Sequence, residues 1–96
     1  MKLPTVEEVV ESTASYFGIP EEALLDKKMK AKDACLKRHV AMYLAAKLTY
    51  RSLRQVGDVF DMDGASVSFA LKKVTDLIAK DKELAKDVAA IRRSFE

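Results

Sequence analysis

Between Ser52 and Ile78 the chain reads SLRQVGDVFDMDGASVSFALKKVTDLI, and this stretch constrains the fold more than any other. Ser52 followed three residues later by Gln55 has the spacing of a capping box, so a helix starts there. Leu53, Val56, Val59 and Phe60 then recur on one helical face. Asp61-Met62-Asp63-Gly64 interrupts the pattern with turn-forming residues. After the break, Val67, Ala70, Leu71, Val74, Leu77 and Ile78 form a second apolar stripe of period near 3.6. A short helix, a tight break and a longer helix outline a helix-turn-helix. In a DNA-binding version the second helix, here from about Ala65, lies in a major groove. A packed helical hairpin without a ligand gives the same pattern.

The rest of the chain is consistent with such a unit. Its 96 residues suit one domain spanning 1–96, and 49% hydrophobic against 33% charged residues is the balance of a globular chain. Three Gly and two Pro supply little material for turns, and the β-branched residues do not alternate, so an all-α bundle of about six helices is expected. Charge is unevenly spread. Residues 1–26 carry net −5, residues 27–54 carry nine Lys or Arg against Asp33 alone for +8, and residues 55–96 carry −1. A basic middle between acidic or neutral ends points to one polyanion-facing patch, although a solvated charged face has the same composition.

Read in order, helix 1 starts near Thr5, where Thr5 and Glu8 make a second capping box. Its buried stripe is Val6, Val9, Val10, Thr13 and Phe17, and Gly18 closes it. Pro20 opens a short second helix near its N1 position, with Glu21 and Glu22 at the positive end of the dipole. Lys27-Lys28-Met29-Lys30-Ala31-Lys32 reads as a basic loop able to reach phosphates or a minor groove, or as a solvated linker. Helix 3 runs from an Asp33 N-cap to about Thr49, with Leu36, Val40, Tyr43, Leu44 and Leu48 on one stripe. Lys37, Arg38, His39 and Lys47 lie off that stripe, where a phosphate backbone could be met. Asp81 caps a last helix whose Leu84, Val88, Ile91 and Phe95 clasp the core.

Several function classes are disfavoured. A single cysteine, Cys35, permits no intrachain disulfide and reads as a reducing, cytoplasmic setting. The N-terminus turns acidic at once, unlike a signal peptide, and no run approaches the roughly 20 apolar residues of a membrane span. Cys35 and His39 stand four apart, but two ligands do not make a zinc site. No GxxxxGK[ST] or GxGxxG occurs, so no nucleotide-binding module is expected in this chain, and no cofactor. Helix caps account for Asp33, Asp63 and Asp81 better than acid–base chemistry does, so an enzyme is not expected.

A set of spaced residues resembles a known family. Arg38-His39-Val40-Ala41-Met42-Tyr43-Leu44, Leu48-Thr49, Ser52-Leu53-x-x-Val56-Gly57-x-x-Phe60 and Val67-x-x-Ala70-x-Lys72-Lys73-Val74 resemble the C-terminal DNA-binding domain of the bacterial replication initiator DnaA. Upstream, Ser15-Tyr16-Phe17-Gly18-Ile19 and Leu24-Leu25-x-Lys27 fit the same domain. The resemblance covers about residues 5–92. It implies a Trp-repressor-like helical fold that binds a short box in double-stranded DNA within a bacterial nucleoid. It places Lys28, Lys30 and Lys32 in a loop touching backbone and minor groove, with Arg38 and His39 at the DNA-contacting part of the long helix. Ser52, Leu53, Arg54 and Gln55 correspond to the phosphate-binding start of the first motif helix, Arg54 replacing a usual Pro. Lys72 belongs to the matched part of the second helix.

The family's base-reading segment, Gly-Gly-Arg-Asp-His-Ser/Thr-Thr-Val, falls on Asp61-Met62-Asp63-Gly64-Ala65-Ser66-Val67. One residue is missing, the Arg is lost or is Met62, Gly64 replaces His, and Ala65 replaces the first hydroxyl. Asp63 retains an acceptor for cytosine N4, and Ser66 a group for base or phosphate. Each lost bidentate-quality contact removes on the order of 1–3 kcal/mol of discrimination, so a weakened or altered site preference is expected. The alternative is a protein-interaction module that keeps the fold without DNA, with Gly64, Ala65 and an exposed Phe69 facing an apolar partner.

Overall fold

The structure, a computed structural model, describes residues 3–26, 28 and 32–96, and six helices are found among them: α1 (Val6–Phe17), α2 (Glu21–Leu25), α3 (Lys32–Thr49), α4 (Leu53–Phe60), α5 (Gly64–Lys80) and α6 (Lys82–Arg93). The fold is an all-α bundle containing a helix-turn-helix, α4 to α5. No helix among the described residues is long and apolar enough to cross a membrane.

Local chemistry sets most helix ends. At α1, the Glu8 N–H donates to Thr5 Oγ1 (3.1 Å) and the Thr5 N–H donates to Glu8 Oε1 (2.9 Å), the reciprocal pair expected from the sequence. Gly18 takes the left-handed conformation (φ +68°) that ends α1, and the Ile19 N–H returns to the Ala14 carbonyl at 3.0 Å. Asp81 alone separates α5 from α6 and caps the latter through Glu83 and Leu84 N–H groups (3.0 and 3.2 Å). Two boundaries differ from expectation. Pro20 is the N-cap of α2 rather than its first residue. Asp33 is inside the first turn of α3 rather than capping it, and its carboxylate pairs with Lys37 Nζ at 2.7 Å.

α3 is the hub, packing against every other described helix. It therefore lacks the single stripe read from its sequence. Val40, Ala41, Met42, Leu44 and Ala45 are all fully buried, while Leu36, Tyr43 and Leu48 are only partly covered. Ala41 and Ala45 are fully buried, and their small side chains let neighbouring backbones approach. Val9, Val10 and Leu24 reach the core from α1 and α2, Val56 and Phe60 from α4, Val67, Ala70 and Val74 from α5, and Leu84, Val88 and Ile91 from α6. Phe95 is partly buried against them beyond the end of α6. Leu53, read as part of the α4 stripe, is 37% exposed at the helix tip.

Candidate nucleic-acid interface

The turn between α4 and α5 is closed by backbone contact. A Cβ on Gly57 would lie 2.4 Å from the Met62 carbonyl oxygen, so only glycine lets the turn fold this closely over α4. The Met62 N–H donates to the Gly57 carbonyl at 2.9 Å, and Asp61 takes φ +55°, a left-handed conformation that Asp tolerates better than bulkier residues. Asp63 then caps α5, accepting the Ser66 N–H at 2.8 Å. That bond and the Ser66 hydroxyl hold the exposed Asp63 carboxyl below the usual carboxylate range. Gly64 is the first residue of α5, not a turn residue.

This closure sets the two helix starts side by side. A Cβ on Gly64 would meet the Arg54 amide nitrogen at 3.6 Å and Leu53 Cβ at 3.7 Å. At α4, the Gln55 N–H donates to Ser52 Oγ (3.1 Å) and the Ser52 N–H to Gln55 Oε1 (3.0 Å). Two positive dipole ends therefore share one surface, the local field that favours a phosphate. Ser52, Leu53, Arg54, Gln55, Asp63, Ala65 and Ser66 are all exposed there, with Gly64 half-buried between the helices.

A second part of the surface joins it along α5. Lys32 and Leu36 at the start of α3 line an open groove of about 400 Å³ with Lys73 and Leu77 of α5. His39 meets the Phe69 ring edge-on (centroids 5.9 Å apart), and Lys73 Nζ stands 5.7 Å from the centre of that ring. Lys72 is exposed one position before Lys73. Lys28 is exposed, its N–H donating to Asp26 Oδ1 at 2.9 Å, and Lys30 lies outside the described residues, as does most of the basic loop.

Two residues expected at phosphates are placed otherwise. Arg38 is 4% exposed, and its guanidinium donates to the carbonyls of Leu24 (3.0 Å) and Asp26 at the end of α2. It is a strut between α2 and α3. The reason is long-range: α2 is too short to satisfy its own last carbonyls, and Arg38 lies beneath them. His39 is half-buried between α3 and α5, and its Nδ1 has no hydrogen-bond partner among the described residues. Burial first, then Lys73 and Arg38, pushes its pKa down, so it is neutral at pH 7 and adds no charge to the surface. Phe69 is exposed on α5 as expected, and Ser68, not singled out from the sequence, shares that face through the spacing 65, 68, 69, 72. Among the described residues no group of three or more His, Cys, Asp or Glu is placed to hold a metal.

The chain is matched over residues 6–74 by a family model described as the bacterial dnaA protein helix-turn-helix. Among similar proteins, the chromosomal replication initiator protein DnaA of Deinococcus deserti is 33% identical over 89 residues, which is 93% of this chain and 19% of that protein. Its namesake in Bartonella quintana is 34% identical over 92% of this chain and 18% of the relative. That of Bordetella pertussis is 40% identical over 83% of this chain and 17% of the relative. The chain thus spans about a fifth of the length of these relatives. With that family model matching residues 6–74 and relatives 33–40% identical over 83–93% of the chain, the chain belongs to the family of the bacterial DnaA helix-turn-helix domain.

Proposed function

We propose that residues 1–96 act as one unit that binds double-stranded DNA sequence-specifically, as part of replication initiation. The observation carrying this reading is the junction of the two helix starts at Gly64, Leu53 and Arg54, an exposed anion-favouring surface on a helix-turn-helix. The start of α5 enters the major groove, with Asp63, Gly64, Ala65 and Ser66 nearest the bases. Leu53 and Arg54 take a phosphate through their backbone N–H groups and the Arg54 guanidinium, beside the Ser52 and Gln55 side chains, whose own backbone N–H groups are held in the capping box. Lys28, Lys30 and Lys32 reach the flanking backbone or minor groove, and Lys72 the phosphates along α5. Arg38 and His39 act behind this surface by holding α2 and α5. The lysines beside Phe69 suit DNA better than an apolar protein partner, so the DNA-free interaction module ranks second.

A fluorescence-anisotropy titration with random duplex at low salt tests the reading. Binding is expected, with log K falling linearly in log salt concentration. Replacing Lys30 and Lys32 together by Ala is expected to weaken all duplexes alike and flatten that slope by roughly 2. Absence of binding at low salt rejects the reading.

A further inference from the structure

The corner between α3 and α4 holds a tyrosine in a conformation that tyrosine disfavours. Thr49 Oγ1 donates to the Ala45 carbonyl at 2.6 Å and accepts the Arg51 N–H at 3.3 Å, which pins the link. The chain turns there through Tyr50, whose φ of +58° lies in the left-handed region. Among the described residues other than glycine, Asp61 alone shares that region, and its short side chain tolerates it. At Tyr50 the backbone is strained where glycine or asparagine would fit. Packing does not account for the residue. Tyr50 is 79% exposed, the most of any large hydrophobic side chain among the described residues, and no ring or hydrogen-bond partner for its side chain is found among them. Its chain neighbours are cationic: residues 34–57 carry five Lys or Arg and no Asp or Glu. Lys47, Arg51 and Arg54 are exposed, and Lys47 Nζ stands 5.7 Å from the centre of the half-buried Tyr43 ring. Arg51 shares a groove with Glu7 and Asp58, and Lys47 and Arg54 stand outside it.

An exposed ring among cations fits a ligand with a flat apolar face and negative charge beside it, and an unpaired nucleotide has both. Bases in a duplex are stacked on one another, whereas those of a single strand can be splayed onto an aromatic side chain. We infer that Tyr50 is a stacking platform for an unpaired base of single-stranded DNA, with Lys47 and Arg54 neutralising adjacent phosphates. Tyr50 comes two residues before Ser52, the cap of the helix start assigned to a duplex phosphate, so the stacked base lies where a bound duplex opens. This assignment to DNA, and not the stacking itself, rests on the duplex-binding reading. The contact lies off α5 and is blind to base identity, because every base offers a π-face.

The probes are oligothymidylate of about 15 nucleotides and a random duplex of similar length, each titrated at low salt. The chain has three tyrosines and no tryptophan, so tyrosine emission reports a stacked base directly. Oligothymidylate is expected to bind the unsubstituted protein and to quench part of that emission. Tyr50→Asn suits a left-handed residue better and is expected to keep or raise the melting temperature. It is expected to weaken oligothymidylate about fivefold or more, to lose the quenching, and to bind the duplex within about twofold of the unsubstituted protein. Tyr50→Phe keeps the ring and is expected to keep oligothymidylate binding. A protein that binds duplex but no oligothymidylate overturns the stacking platform and leaves the duplex reading standing. Undiminished oligothymidylate binding by Tyr50→Asn overturns it as well, and so does an equal weakening of both probes. Tighter binding of oligouridylate than of oligothymidylate overturns the assignment to DNA. Failure to bind either probe at low salt overturns both readings.

Discussion

At Gly57 and Gly64 the same residue type has opposite meanings. A methyl on Gly57 collides with the Met62 carbonyl, which belongs to backbone and cannot swing away. Gly57→Ala is expected to cost about 1–3 kcal/mol, read as a lower urea midpoint, and to displace the tip with it. A methyl on Gly64 finds ordinary contact distances, so Gly64→Ala is expected to be neutral or stabilising by up to about 1 kcal/mol. His39 sets a pH dependence. Its folded pKa lies below its ordinary value of 6.5, so the unfolded chain takes up the proton first. Stability is unaffected above that value and falls as pH drops through 6.5 towards the folded pKa. His39→Gln is expected to flatten this segment of a stability-against-pH curve measured by thermal melts. Asp63 contributes a further decline at lower pH, as its capping carboxylate is protonated. Capping residues of this kind were legible in the sequence, because a cap is a relation between residues three apart. The pinch on Gly57 was not, because its partner is a carbonyl beyond the end of the helix.

At the scale of elements, α2 and α4 show two arginines of the matched region in different settings. Arg38 occupies a matched position, yet its guanidinium serves the C-terminus of α2, while Arg54, at a position where the family usually has Pro, is exposed at the helix junction. The two are separable by experiment. Arg38→Met is expected to lower stability by roughly 1–3 kcal/mol, because the buried Leu24 carbonyl loses its donor, and to leave the salt slope of DNA binding unchanged. Arg54→Ala is expected to leave stability within about 0.5 kcal/mol and to reduce the slope by about 1. Helix existence and order were legible throughout, and most plainly at α1, α4, α5 and α6, which carry their own side-chain caps and apolar periodicity. The packing of α3 was not. Its burial on several sides depends on five partners distant in sequence, and its alanines mark close approach without saying to what.

On the scale of the whole molecule, the acidic α1–α2 end and the basic middle give the domain a polarity that should orient it as it approaches a duplex. α6 lies beyond residues 6–74, the span of the family model, yet it buries Leu84, Val88 and Ile91 against the bundle. At about 1.5–3 kcal/mol per side chain, these contacts are comparable to the total stability of a small domain. A chain ending at Lys80 is therefore expected to lose its sharp unfolding transition, as monitored by circular dichroism during heating. Because α3 touches every other helix, no part of the bundle can detach without exposing the hub. Amide hydrogens in α6 should then exchange through the same global opening as those in α5. A duplex held only at the tip would slow exchange in both helices together, by about 2.7 kcal/mol when present at a hundred times its dissociation constant.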